Sequence, residues 1–235
     1  MSAAQDRREI ALYSLGDAEA ILHMSRSLTA QCVMERLVVL PASRPLAFSF
    51  SNIVALHALA PFLRNDLNPD ETRTSREHID HTIDFSALRT SLCYVEQQIG
   101  ENRPLIHLEF QTYGIPLFIE RFSSLVGSSL DRRGELTTSL VKCGKRISFD
   151  SNGIAARLFP FGRSGRLDDP VSLELDPLLS DEKICVARSS TGAEELSGRF
   201  LAGETIRDLA REFQLTQILV EDAIRWCDRR IRTRS

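Results

Sequence analysis

The sequence predicts an α+β protein, with helical units at its two ends and a β-hairpin region between them. Three observations carry this reading. Apolar residues recur at helical spacing from residue 193 to residue 230. Ser151-Asn152-Gly153 separates two alternating apolar runs, the pattern of a tight hairpin. Near the start, two short helical stretches adjoin, the second beginning at Ser25, a residue suited to capping a helix.

In chain order, Tyr13-Ser14-Leu15 opens a short helix over residues 16–22, with a tight connection at His23-Met24. Ser25 can cap a second helix running to about Val33. Residues 36–46 read as extended, with Val38-Val39-Leu40 ended by Pro41 and Pro45. Residues 51–63 are helical, with Ile53, Leu56, Ala60 and Leu63 on one face. This helical unit is expected to occupy residues 1–64.

Residues 65–81 are polar and irregular around Pro69 and read as an insertion or linker. A middle region over 82–160 then starts with an amphipathic helix at 85–99, which buries Leu88, Leu92, Val95 and Ile99 and stops at Gly100. Residues 115–122 read as a strand and 134–143 as one more short helix. The hairpin joins 147–150 to 154–158. A Gly- and Arg-containing linker at 161–170 and a strand at 171–175 fill the segment 161–192. No internal repeat and no low-complexity tract stands out.

The C-terminal unit, residues 193–235, is the most decodable. Thr205 and Asp208 form a capping-box pair. Ile206, Leu209, Ala210 and Phe213 follow at i, i+3, i+4 and i+7. Thr216 caps a last helix that buries Val220, Ala223, Ile224 and Cys227, and a preceding helix supplies Leu196 and Phe200 to close a three-helix core. At 100° per residue, Ile218, Glu221, Asp222, Arg225 and Arg229 point outward, with Leu219 at the flank. Two carboxylates on that face repel phosphate, and exposed Ile218 and Leu219 suit a protein partner better than a nucleic acid. Arg229, Arg230, Arg232 and Arg234 against Asp228 give the last eight residues a local charge of +3.

The chain has 235 residues, a net charge of −3, and a hydrophobic fraction of 43%. These values exclude a protein that coats nucleic acid indiscriminately, but leave sequence-specific binding through a local patch open. The opening residues are charged and lack the apolar core of a signal peptide. No apolar run approaches the ~18 residues of a membrane span. A cytoplasmic location, away from membranes, is expected. The five cysteines (Cys32, Cys93, Cys143, Cys185, Cys227) are widely spaced and read as small buried hydrophobes, with neither a disulfide framework nor a zinc site. His78-Ile79-Asp80-His81 lacks a third ligand and lies in the most polar segment, so no metal is expected there. There is no nucleophile elbow, phosphate loop or dinucleotide fingerprint, and hence no catalytic residue or cofactor to assign.

The run Tyr13-Ser14-Leu15-Gly16-Asp17-Ala18-Glu19-Ala20-Ile21-Leu22-His23-Met24-Ser25-Arg26-Ser27 resembles the first helix-turn-helix of MerR-like regulators. The resemblance implies a winged helix-turn-helix whose second helix reads the major groove through Ser25, Arg26, Ser27, Thr29 and Gln31. Glu19 and Cys32 depart from that pattern, which has a small residue and an aromatic in their places.

Along the whole chain, the order of elements is similar to that of VapB-type antitoxins with a MerR-like N-terminal domain and a C-terminal helical antitoxin domain. The likeness rests on Tyr13-Ser14-Leu15, Arg103-Pro104-Leu105, Arg146-Ile147-Ser148-Phe149-Asp150 with Gly153, and Phe200-Leu201-Ala202-Gly203-Glu204-Thr205. Asp181-Glu182-Lys183 departs from it. The resemblance implies a non-catalytic homodimer that neutralises a PIN-domain ribonuclease toxin and binds its own operator DNA. The partner face would comprise Ile218, Leu219, Asp222, Arg225, Arg229, Arg230, Arg232 and Arg234. The alternative is a MerR-like transcription regulator without a toxin partner.

Overall fold

Side-chain caps set where the first helices begin. The Ser14 hydroxyl accepts the Asp17 amide, and the Asp17 carboxylate accepts the Ser14 amide at 2.8 Å, a reciprocal pair that starts α1 (Leu15–Leu22). His23, in the left-handed conformation (φ 52°), ends α1 and turns the chain. Ser25 then caps α2 (Arg26–Met34). The computed structural model describes residues 6–43, 45–64, 83–162, 164–178 and 184–234. The expected insertion at 65–81, the His78/His81 pair and Asp181-Glu182-Lys183 lie outside them.

A second serine box, Ser49 with Asn52, starts the wholly buried α3 (Phe50–Ala58). The helix expected over 51–63 breaks at Leu59, and α4 (Ala60–Leu63) resumes beyond it. Pro61 brings no amide hydrogen, so it is accommodated in the first turn of the new helix. Residues 36–43 and 45–46, expected to be extended, form no strand. Tyr13 and Phe48 exchange two backbone hydrogen bonds, and among the described residues no strand pairs with this loop.

α5 (Phe85–Ile99) is ended by Gly100 in the left-handed region, as its sequence predicts, and it is capped by Asp84. The strand expected at 115–122 is instead α6 (Ile115–Val126), entered through one π-helical turn at Phe110–Gly114. Ile115, Phe118, Ile119 and Phe122 are spaced i, i+3, i+4 and i+7, so the helical period overrides the local strand propensity of β-branched and aromatic residues. Pro116 sits in the first turn, where its missing amide costs little. Ser129 caps α7 (Leu130–Gly144), longer than the short helix expected.

Among the described residues, the β structure is two small antiparallel hairpins. β1 (Ile147–Phe149) pairs with β2 (Ala155–Leu158), with an irregularity between Ser148 and Phe149. Their turn is closed by the Asp150 carboxylate accepting the Asn152 and Ile154 amides, with Gly153 at φ 74°. β3 (Leu173–Glu174) pairs with β4 (Cys185–Val186), and Leu175 bridges to Leu158, so the two hairpins adjoin. The fold is α+β and mostly helical.

The last three helices are α8 (Ala193–Leu201), α9 (Ile206–Glu212) and α10 (Gln217–Arg234). Leu196, Leu209, Ala210, Val220, Ala223, Ile224 and Cys227 are buried between them, as expected. Phe200, read as core, is 38% exposed at the end of α8. Its place against the helices is taken by Phe213, over which the Arg199 guanidinium stacks while binding the Glu204 and Glu212 carboxylates. α10 packs on α8 and α9 and also on α1, so one continuous core runs from Tyr13 to Cys227. Four cysteines are buried and Cys93 is exposed.

Residues 161–170, expected to be a linker, are an anchored strap. Phe161 and Leu167 are buried with Ala60 and Cys143 in a small second core. Arg146, itself buried, donates to the carbonyls of Pro160, Leu167 and Asp169. Removing a donor that satisfies several buried carbonyls leaves them unpaired. Arg146→Met should therefore lower unfolding free energy by about 3 kcal/mol. Urea denaturation followed by circular dichroism checks this.

Candidate functional site

The α1–α2 unit presents one polar face. Ser25, Arg26, Ser27 and Gln31 are exposed together with Met34 (73%). Thr29, expected on that face, is fully buried, and its hydroxyl donates to the Ser25 carbonyl. The helix turn carries it inward beside Cys32, so it is no contact residue. The Ser25 hydroxyl is engaged with the Leu28 amide and with the Ser27 hydroxyl. Arg26, Ser27 and Gln31 are thus the side chains best placed to meet a partner.

Behind that face, Glu19 is buried and its Oε1 lacks a hydrogen bond. Burial pushes its carboxyl above the usual range, while the Arg26 charge pulls it down. Stability from such a group is present at low pH and lost as pH rises through its folded value. Glu19→Gln should therefore raise the melting temperature at pH 8 by more than at pH 4, measured by calorimetry.

At the other end, Ile218 is 67% exposed and Arg225 is exposed beside Glu221 (3.4 Å). Asp222 does not point outward as expected: its carboxylate accepts the Ser172 hydroxyl at 2.6 Å. Leu219 is only partly exposed and packs on the core. β3 approaches α10 on this side, so the flank drawn as open from the helical wheel is covered. The backbone of α10 continues to Arg234, and the side chains of Arg229, Arg230, Arg232 and Arg234 lie outside the described residues. Next to Ile218, an open depression of about 550 Å³ is lined by Phe200, Ile206, Gln217 and Glu221. Leu201 is 70% exposed at the end of α8. Phe200 and Leu201 were missed as surface residues because their spacing fits the apolar stripe of α8.

The two ends share a backbone plan. Ser14, Asp17, His23 and Ser25 fall at the same spacing as Thr205, Asp208, Gln214 and Thr216. In each unit a capping residue is followed by its aspartate, a left-handed non-glycine turn residue and a second cap. The burial patterns match as well, with Thr29 and Val220 both fully buried and Arg26 and Gln217 both exposed. No repeat is evident from residue identities: beyond the caps and the aspartate, the likeness is confined to apolar positions such as Leu15/Ile206, Leu22/Phe213, Met24/Leu215 and Leu28/Leu219.

Between the two units, His57 is fully buried with its ring 4.5 Å from Phe161. Neither ring nitrogen has a well-aligned hydrogen-bond partner among the described residues. Burial, with the Arg146 and Arg64 charges, holds its pKa down at about 3, the Cys143 backbone opposing in part. Cys143 beside it is pushed up to about 12 by burial. Among the described residues, no group of three or more His, Cys, Asp or Glu side chains could share a metal ion. No described helix is long and apolar enough to cross a membrane.

No protein-family model matches the chain, and no curated protein matches it. Its fold is similar to the crystal structure of Rv2018 from Mycobacterium tuberculosis, with a TM-score of 0.65 and 18% identity. The likeness covers 92% of this chain and 97% of that one. The shared feature is therefore the architecture of nearly the whole chain.

The histidine yields a pH prediction. His57 is neutral when folded and takes up a proton near pH 6.5 when unfolded, so its contribution is present above about pH 6.5 and lost as pH falls towards 3. Stability should drop by up to about 1.4 kcal/mol per pH unit across that window. His57→Phe should flatten this acid limb in urea titrations at pH 4 to 7.

Proposed function

We propose that the chain is the antitoxin of a type II toxin–antitoxin pair, neutralising a PIN-domain ribonuclease and binding its own operator DNA as a homodimer. The observation that carries the reading is the contrast between two matched units. The N-terminal unit, a MerR-like winged helix-turn-helix in this reading, exposes Arg26, Ser27 and Gln31 where a DNA-reading helix needs donors and a positive charge. The C-terminal helix-turn-helix exposes Gln217 and Ile218 at the places of Arg26 and Ser27, has Asp222 at the place of Gln31, and carries a Glu221-paired Arg225 one turn on, a surface for protein rather than phosphate.

In this division of labour, α2 lies in the major groove, and its phosphate contacts make binding salt-dependent. Ile218, with the depression that Phe200, Ile206 and Gln217 line, anchors the toxin. The arginine-rich end of α10 reaches towards the acidic, metal-binding cleft of the nuclease. No catalytic residue or cofactor of this chain takes part.

Co-expression with the neighbouring gene, followed by size-exclusion chromatography, tests the pairing. The expected result is a stable complex with a small acidic nuclease, and a lone monomer would count against it. Ile218→Asp should weaken the complex by about 2 kcal/mol, the scale of an interface anchor, and leave DNA binding unchanged. Removal of residues 229–235 should also weaken the complex. Arg26→Ala should weaken DNA binding and lower its salt slope by about 1. DNA binding without any co-purifying nuclease would favour a MerR-like regulator that acts alone.

A further inference from the structure

We infer that Arg64 and the strap residue Gly165 act as positioning residues for α2, fixing the angle at which the exposed face of Arg26, Ser27 and Gln31 is presented. The inference rests on the reading of that face as DNA-binding.

The hinge of the α1–α2 unit is one residue, His23, in the left-handed conformation. Such a turn in a non-glycine residue is strained, and it holds its angle only where its surroundings over-determine it. Here they do. The last turn of α1 contains no basic residue, and its Leu22 carbonyl accepts from Nη1 of the buried Arg64. Arg64 comes from the end of α4, 42 residues away in sequence. It satisfies the helix end in space and sets a positive charge at the negative end of the helix dipole. Nη2 of the same guanidinium donates to the Gly165 carbonyl at 3.0 Å, and its plane lies 4.9 Å over the Phe161 ring.

The strap closes the other side of the hinge. Gly165 has φ +75°, and a Cβ there would stand 2.7 Å from His23 Nδ1 and 3.1 Å from Arg64 Nη2. The backbone therefore approaches the His23 ring as closely as a glycine allows. Phe161 meets the same ring edge-on at 6.3 Å. The strap in turn is fixed by Arg146. The turn, Arg64 and the strap form one packed unit, and α2 leaves it in a single direction. Reading base edges requires this: a few tenths of an ångström or 10–20° of drift removes the hydrogen bonds that discriminate bases. Phosphate attraction tolerates the same drift.

The test separates discrimination from affinity. A duplex enriched from a random-sequence pool by the full-length protein is compared with its scrambled version by fluorescence anisotropy. Arg64→Lys keeps the charge without the planar fork, and His23→Gly keeps the turn without the ring. Both should lower the ratio of selected to scrambled affinity by about tenfold or more, while scrambled binding and its salt slope stay at wild-type values. A general loss of folded protein would lower both affinities together. If Arg64→Lys does not fold, His23→Gly with a native circular-dichroism spectrum decides the matter. An unchanged ratio in a folded variant overturns the positioning role while leaving DNA binding intact. Enrichment of no sequence by the wild-type protein overturns the DNA reading, and this inference with it.

Discussion

Two buried guanidinium groups on the faces of Phe161 hold the middle of the molecule in place. A cation away from water is tolerated only when its donors are spent on acceptors. Arg146 spends them on the carbonyls of Pro160, Leu167 and Asp169, and Arg64 on those of Leu22 and Gly165. Desolvation lowers the Arg146 pKa, with Asp169 opposing. The strap contributes backbone oxygens, and the arginines contribute the donors that they accept. Each satisfies the other. His57 completes the layer against the ring and stays neutral there because burial and the Arg146 and Arg64 charges outweigh the opposing Cys143 backbone.

This layer lies between two helical units built to one plan. α10 packs against α8 on one side and α1 on another, so the exposed faces of α2 and α10 belong to one continuous core. Surface chemistry then distinguishes what the backbone makes alike. Arg26 and Ser27 stand on α2 where Gln217 and Ile218 stand on α10.

Much of the local structure is legible in the sequence because capping and apolar spacing act over a few residues. Ser25, Gly100, Thr205 and Thr216 mark helix ends that the structure retains. The hairpin follows from Asn152-Gly153 and its flanks. What escaped depends on contacts distant in sequence. Residues 115–122 look strand-like residue by residue, but their period is helical and α5 covers the buried side. Asp222 turns inward because Ser172, fifty residues earlier, offers its hydroxyl. Phe200 reaches the surface because Phe213 fills the core beneath Arg199. The strap looks like a linker because its anchors, Arg64 and Arg146, lie elsewhere in the chain. At the exposed faces, the sequence identified Arg26, Ser27, Gln31 and Ile218 but placed Thr29 outward, since the phase of so short a helix is set by the core that Cys32 enters.

Amide NMR shift mapping of the full-length protein, titrated with a DNA duplex that it enriches from a random pool, tests the division between the two faces most directly. The account predicts that shifts concentrate on residues 25–31, with residues 217–222 unmoved. Shifts concentrated on residues 217–222, with α2 silent, would contradict it.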